Sequence, residues 1–143
     1  MLLVVDANIV FSALIRRGKP LRVFELNKLL MKFEFIAPEF LFFEVGKRMD
    51  KILKLTDLSK EEFITVFSFI KKELELIPLE TFEDKADEAK ERSPHLKDMP
   101  YVALSLKFDC KILSGDKGIK ECLPERVIIP SEAVRILFGR IAP

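Results

Sequence analysis

The chain has 143 residues, of which 49% are hydrophobic and 33% are charged, and 24 basic against 23 acidic residues give a net charge of +1. This length allows one domain with a buried core, so we expect residues 1–143 to form a single domain. The near-zero net charge argues against the broad basic surface of a protein that coats nucleic acid, so any basic patch must be local.

Five short apolar runs predict buried strands. The first run follows Met1 directly, is rich in Val and ends at Asp6, which is typical of a strand that is covered on both faces. The others resemble it, and each is followed by a break and a helical pattern. In chain order the runs are Leu2–Val5, Phe35–Ala37, Leu74–Ile77, Lys111–Leu113 and Val127–Ile129.

Between the strands, apolar residues recur at three- and four-residue spacing, which predicts amphipathic helices. Ser59 and Glu62 form a capping box that begins one of them, ahead of Phe63. The other predicted helices contain residues Val23 to Phe33, Leu41 to Ile52, Thr81 to Arg92, Met99 to Phe108 and Ser131 to Phe138.

This alternation of strands and helices predicts an α/β fold with a parallel sheet covered on both sides. Ligands of such folds bind outside the carboxyl ends of the strands, near the point where the strand order reverses. Polar residues that directly follow a strand are therefore the first candidates for a functional site.

Neither a membrane anchor nor a metal site based on sulfur or imidazole is expected. The longest run without a charge, Ala7 to Ile15, has nine residues, whereas a membrane-spanning helix needs about 20. Met1 is followed by no basic segment, so we expect no secretory signal and a cytoplasmic location. Cys110 and Cys122 are expected to be free thiols packed as small hydrophobic residues, and His95 to lie in a surface loop.

Two acidic residues follow predicted strands. Asp6 comes after the first strand, and either projects into the cleft or caps a helix that begins near Ala7. Asn8 would reach the same region. Asp116 follows the fourth strand in the sequence Ser114-Gly115-Asp116, where the alternative is an ordinary turn.

Two further acidic residues lie on helices. Asp98 precedes Pro100 at a helix start, where capping is the ordinary role of an aspartate. Glu44 falls within the inward arc of its helix, beside Leu41 and Val45, where a carboxylate needs a partner. Arg48, four residues later, offers either a structural ion pair or support for a functional carboxylate.

If these four carboxylates converge, their mutual repulsion calls for a divalent cation. Oxygen ligands alone favour Mg²⁺ or Mn²⁺, and such ions serve phosphoester hydrolysis. The predicted metal ligands and catalytic residues are Asp6, Glu44, Asp98 and Asp116, with Asn8, Ser114 and Arg48 in supporting roles.

This spaced set resembles the PIN domain family, in particular its small free-standing VapC-like ribonucleases, over essentially the whole chain. The resemblance rests on the strand that ends in Asp6, on Glu44, on Lys97-Asp98 and on Leu113-Ser114-Gly115-Asp116. It implies a three-layer α/β/α sandwich with about five parallel strands, and RNA cleavage with Mg²⁺ or Mn²⁺ by in-line attack of water.

The resemblance also implies partners and shows two departures. Small family members are often toxins of toxin–antitoxin pairs and form dimers, so a homodimer and an antitoxin partner are expected. Ser114 stands where members often have Thr, which keeps the hydroxyl. Lys117-Gly118-Ile119 replaces a further acidic residue, which puts a second metal ion in doubt.

Basic residues near the acidic positions are predicted to contact RNA phosphates, because they would offset the repulsion between RNA and the carboxylates. These predicted substrate-binding residues are Arg16, Arg17, Lys19, Lys47, Lys97 and Lys117. The phenylalanines at positions 33, 35, 40, 42 and 43 are expected in the core or at a dimer surface rather than in base stacking.

Two other functions compete with the ribonuclease. A phosphatase of the haloacid dehalogenase type also begins with a strand and an Asp, but such enzymes have a second Asp where this chain has Asn8. A non-catalytic RNA-binding or assembly module with the same fold is the other alternative, and the four filled acidic positions argue against it.

Overall fold

Five parallel strands form one central sheet in the computed structural model, which describes residues 1–143. The strand order is β3-β2-β1-β4-β5, so the chain builds outward from β1 in one direction and then returns to its other side. Val4 of β1 pairs with Ile36 of β2 and Ile112 of β4. The strands are β1 (Leu2–Val5), β2 (Glu34–Pro38), β3 (Leu74–Ile77), β4 (Lys111–Leu113) and β5 (Val127–Ile128), as the sequence predicts to within one or two residues.

Helices connect the strands. The capping box at the start of α5 is present, with Ser59 accepting from the Glu62 N–H and the Glu62 carboxylate accepting from the Ser59 N–H. None of the helices is both long and apolar enough to cross a membrane. The helices are α1 (Ala7–Arg16), α2 (Gly18–Leu30), α3 (Leu41–Lys47), α4 (Met49–Leu55), α5 (Lys60–Glu73), α6 (Leu79–Phe82), α7 (Ala86–Arg92), α8 (Met99–Phe108), α9 (Lys117–Cys122) and α10 (Pro130–Leu137).

The helices form two groups around the sheet, which gives the expected α/β/α sandwich. In one group α1 contacts α2, α3, α4 and α5, and α10 packs on α2. In the other, α8 contacts α6 and α7 and lies against β1, β2 and β4. Leu3, Val4 and Val5 of β1 are fully buried between these layers. The central position of β1 explains why its sequence is apolar throughout.

Two predicted helices are interrupted. The segment from Thr81 to Arg92 contains a 3₁₀ turn at Glu83–Lys85, where no side chain is buried and packing therefore does not favour the α-helical form. The segment from Leu41 to Ile52 breaks at Arg48, two residues after Gly46, which is a poor helix former. The inward arc predicted for this segment also includes Leu55, but this last residue of α4 is exposed.

The two cysteines and the histidine differ in burial. Both cysteines are free, but only Cys110 packs against the core, whereas Cys122 is exposed at the end of α9. The expectation that both act as small core residues is therefore wrong for Cys122. His95 is exposed outside the regular elements, as the sequence predicts.

Candidate active site

The candidate site lies where the strand order reverses, beside the carboxyl ends of the neighbouring strands β1 and β4. Asp6 directly follows β1, and Ser114, Gly115 and Asp116 directly follow β4. Because connections leave these two strands in opposite directions, a crevice opens between them. Residues more than 100 positions apart therefore meet at one edge of the sheet.

A cavity of about 70 Å³ at this edge is lined by all four predicted carboxylates. Its volume admits a cation with several water molecules. The lining residues are Asp6, Ala7, Asn8, Phe11, Glu44, Arg48, Lys97, Asp98, Tyr101 and Asp116. Loops and helices that are distant in sequence therefore bring these acidic side chains to a common space.

Asp6 is held by a polar network rather than by helix capping. It occupies the N-cap position of α1 but makes no side-chain capping hydrogen bond. The Ser114 hydroxyl donates to its Oδ2 at 2.7 Å, and Asn8 Nδ2 donates to Ser114 Oγ at 3.2 Å. Burial raises the pKa of Asp6 to about 6, the charges of Asp98 and Asp116 add to this, and the Ser114 hydrogen bond acts against it.

Asp98 has no structural role that explains its position. It precedes α8 without a side-chain capping bond, and it is only 4% exposed. Its Oδ2 is the one buried side-chain oxygen or nitrogen without a hydrogen-bond partner. Burial raises the pKa of Asp98, and the negative charge of Asp116 raises it further. An unpartnered buried carboxylate oxygen is costly, so this oxygen is suited to accept a cation or a hydrogen-bond donor.

Asp116 combines capping with a place in the cavity. Its Oδ1 accepts from the Gly118 N–H at 2.7 Å and from the Ile119 N–H at 3.3 Å, which caps α9. A Cβ at Gly118 would lie only 3.1 Å from this oxygen, so the absence of a side chain there leaves room for the carboxylate. The local role of Asp116 is thus helix capping rather than the turn that the sequence suggests as an alternative, and capping uses one of its oxygens.

Glu44 is fixed by a residue that the sequence analysis did not single out. The Tyr101 hydroxyl donates to Glu44 Oε1 at 3.0 Å. Burial raises the pKa of Glu44, while this hydrogen bond and the charge of Arg48 lower it. Burial and Glu44 together raise the pKa of Tyr101, which keeps its proton on the phenol. Tyr101 is the one tyrosine of the chain and follows Asp98 by three residues, a spacing that places both on one helix face.

Arg48 does not form the helical ion pair that was one of its two expected roles. No ion pair joins it to Glu44, and its guanidinium carbon lies 5.0 Å from the centre of the Phe11 ring. Phe11 and Arg48 both line the cavity, so the face of the Phe11 ring holds the Arg48 guanidinium at the cavity wall.

The residues present fit a divalent cation in kind. All the acidic ligands offer oxygen, Asp98 Oδ2 lacks a partner, and the known hydrogen bonds to Asp6, Glu44 and Asp116 each engage one oxygen. No three of these side chains are close enough to hold a metal ion together as they stand. Ligation by three of them therefore requires these carboxylates to move closer together.

Two of the predicted substrate-binding residues line the acidic cavity or the cavity beside it, and the other four do not. Lys97 lines the acidic cavity, and Lys47 and Lys97 line an adjoining one. Arg17 is instead paired with Glu62, in a different cavity that shares no residue with the acidic one. The remaining three predicted residues, Arg16, Lys19 and Lys117, are exposed and line neither the acidic cavity nor its neighbour.

A family model described as "PIN domain" matches residues 4–122. The chain belongs to the PIN domain family. All four carboxylates of the cavity lie within the matched part of this PIN domain, and so do Tyr101 and Ser114. A search of curated proteins found no significant match.

Solved structures support the PIN fold. The crystal structure of VapBC2 from Rickettsia felis, bound to a DNA fragment from its promoter, is similar to this PIN domain with a TM-score of 0.62. The sequences are 12% identical, and the alignment covers 90% of this chain and 98% of that chain. At this identity the likeness concerns the fold.

Proposed function

We propose that this PIN-domain protein is an endoribonuclease that uses Mg²⁺ or Mn²⁺ to hydrolyse RNA phosphodiester bonds. The observation that carries the proposal is the cavity lined by Asp6, Glu44, Asp98 and Asp116, in which Asp98 Oδ2 has no partner. Membership of the PIN domain family supports the same chemistry. The proposed metal ligands are these four carboxylates.

A bound cation would activate water and neutralise charge on the scissile phosphate. The protein's own residues hold the ligands in place: Ser114 orients Asp6, Tyr101 orients Glu44, and the N–H groups at the start of α9 orient Asp116. Lys97 and Arg48 supply positive charge at the wall of the cavity, where an RNA phosphate would meet it. Phosphate binding and metal ligation are thus divided between cationic and acidic side chains.

The test is cleavage of single-stranded RNA with Mn²⁺ and with EDTA, using Asp6→Asn and Asp98→Asn. We expect the parent protein to cleave the RNA with Mn²⁺ but not with EDTA, and both variants to lose this cleavage. Asp87→Asn, which changes an exposed aspartate of α7, is the matched control and should cleave normally. Metal-dependent cleavage that survives both site substitutions would contradict the assignment, and RNA binding without cleavage would instead support a non-catalytic module.

We further propose that the protein is the toxin of a toxin–antitoxin pair and forms a homodimer. The likeness to VapBC2 supports this, as does the apolar surface at the end of α2, where Leu29 and Met31 are largely exposed. When the tagged protein is co-expressed with the adjacent open reading frame and purified, the polypeptide encoded by that frame should co-purify with it. Light scattering of the purified protein alone should give twice the mass of one chain. A monomeric protein that co-purifies with no polypeptide from the adjacent frame would contradict both proposals.

A further inference from the structure

A second cavity adjoins the acidic one. Its volume is about 560 Å³, and it shares Glu44, Arg48 and Lys97 with the acidic cavity. Its remaining lining residues are Phe40, Phe43, Lys47 and Pro100. An extended ligand that leaves the acidic cavity on this side therefore enters a larger groove, which is lined by basic and aromatic side chains.

Cations dominate the charge of this second cavity. Lys47, Arg48 and Lys97 line it, and none of them forms an ion pair with an acidic side chain. Its one acidic residue is Glu44, which accepts from Tyr101. Three unpaired cations beside a cluster of carboxylates are suited to an anion that spans both cavities.

Phe43 gives this cavity an aromatic face. It is 65% exposed on α3, and the Lys47 ammonium lies 4.7 Å from the centre of its ring. Phe33 and Phe35 are buried in the core, whereas Phe43 is at the surface, the other of the two locations that the sequence analysis expects for this group. An exposed aromatic ring beside a cation is a platform on which a nucleic-acid base can stack.

We propose that the second cavity binds a nucleotide that flanks the scissile bond in single-stranded RNA. Its base stacks on Phe43, and the adjoining phosphates contact Lys47, Arg48 and Lys97. The identity of the scissile bond rests on the proposed nuclease function, whereas the binding of the strand does not. We expect single-stranded RNA to be preferred, because a base within a duplex must first lose its stacking and pairing before it can cover the Phe43 ring.

The test measures binding without cleavage. A short fluorescein-labelled oligouridylate in EDTA is titrated with the protein, and anisotropy gives the dissociation constant. We expect Phe43→Ala to weaken binding roughly tenfold. Phe138→Ala is the matched control, because Phe138 is also exposed (46%) and faces Arg140 at 5.5 Å but lies outside both cavities. It should bind like the parent protein.

A second pair of variants tests the phosphate contacts. Lys47→Ala should weaken binding. It should also make the negative slope of log affinity against log salt shallower by about 0.7, as expected for one lost phosphate contact to a single strand. Lys54→Ala, in the exposed last turn of α4, should leave this slope unchanged. Annealing the labelled strand to its complement should abolish the difference between Phe43→Ala and the parent protein.

Several results would overturn the proposal. These are no measurable binding by the parent protein, equal affinities of Phe43→Ala and Phe138→Ala, or equally tight binding of a labelled oligoglutamate peptide, which would indicate an acidic protein partner. A preparation that binds as expected but never cleaves RNA would contradict the nuclease function and leave this subsite in place. Cleavage with a KM that Phe43→Ala does not change would do the reverse.

Discussion

The Ser114 hydroxyl donates a 2.7 Å hydrogen bond to Oδ2 of Asp6, and so joins the carboxyl ends of β4 and β1. Ser114 Oγ in turn accepts from Asn8 Nδ2 at 3.2 Å and from the Asp116 N–H at 3.1 Å. One fully buried side chain therefore sets the positions of two proposed metal ligands. Its loss should affect both the stability of the protein and the charge state of Asp6.

We expect Ser114→Ala to lower the free energy of unfolding by about 1–3 kcal/mol, because the Asn8 amide and the Asp116 N–H lose their acceptor. It should also raise the pKa of Asp6 further, since the hydrogen bond favours the carboxylate. Urea unfolding measures the first effect. Ser68→Ala, at an exposed position of α5, is the control, and an equal loss in both variants would contradict the role of Ser114.

The raised pKa of Asp6 predicts that the metal-free protein loses stability as the pH increases. The folded pKa of about 6 exceeds the ordinary value of 3.8, so the folded state binds the proton more tightly than the unfolded state. This contribution is complete below pH 3.8 and is lost as the pH rises through about 6. The raised pKa values of Glu44 and Asp98 act in the same direction.

Asp6→Asn should remove this dependence, because an amide carries no charge. In EDTA at neutral pH we expect the variant to be more stable than the parent protein by up to about 3 kcal/mol. The difference in unfolding free energy should grow between pH 4 and pH 6, the range spanned by the two pKa values, and then level off. A difference that does not vary with pH would show that Asp6 ionises normally in the fold.

The hydrogen bond from Tyr101 to Glu44 predicts a metal-binding defect in Tyr101→Phe. Without the donor the pKa of Glu44 rises, so protons compete better with the cation. Titration calorimetry with Mn²⁺ should show weaker binding, most clearly at acidic pH. A double-mutant cycle with Glu44→Ala gives the control: the effect of Tyr101→Phe should disappear when Glu44 is absent, and its persistence would place the effect elsewhere.

Asn27 stabilises the connection into β2. Its amide donates to the Phe33 carbonyl at 2.9 Å and accepts from the Lys32 and Phe33 N–H groups at 3.0 and 2.8 Å. Asn27→Ala leaves these groups without partners, and we expect a loss of at least about 2 kcal/mol in thermal or urea unfolding. Glu25→Ala, at an exposed position of the same helix, should cost far less, and similar losses would refute this role.

The strands and most helices were predictable because they depend on local patterns. The apolar runs at Leu2–Val5 and Lys111–Leu113 match β1 and β4, and the capping box at Ser59 begins α5. The break at Arg48 was not predictable from apolar spacing, because Leu41, Val45 and Ile52 remain buried on both sides of it. Helical periodicity reports which residues face the core, but not whether one helix or two present them.

The candidate site was predictable in its residue types and only partly in its contacts. Sequence position places Asp6 and Asp116 after strands, and both line the cavity. Arg17 was expected beside them, but it pairs with Glu62 of α5. The choice among surface partners depends on which helices pack together, and a long flexible side chain can reach several of them.

The sequence by itself determined the order of strands and helices, the buried first strand and the acidic residues available for a site, because these follow from short-range periodicity and residue chemistry. Only the tertiary structure decided that Tyr101 holds Glu44, that Asp98 Oδ2 stays without a partner, and that Phe43 faces a groove beside the carboxylates. These features involve residues that are far apart in the chain. They depend on strand order and on the angles at which helices pack, which no local pattern encodes.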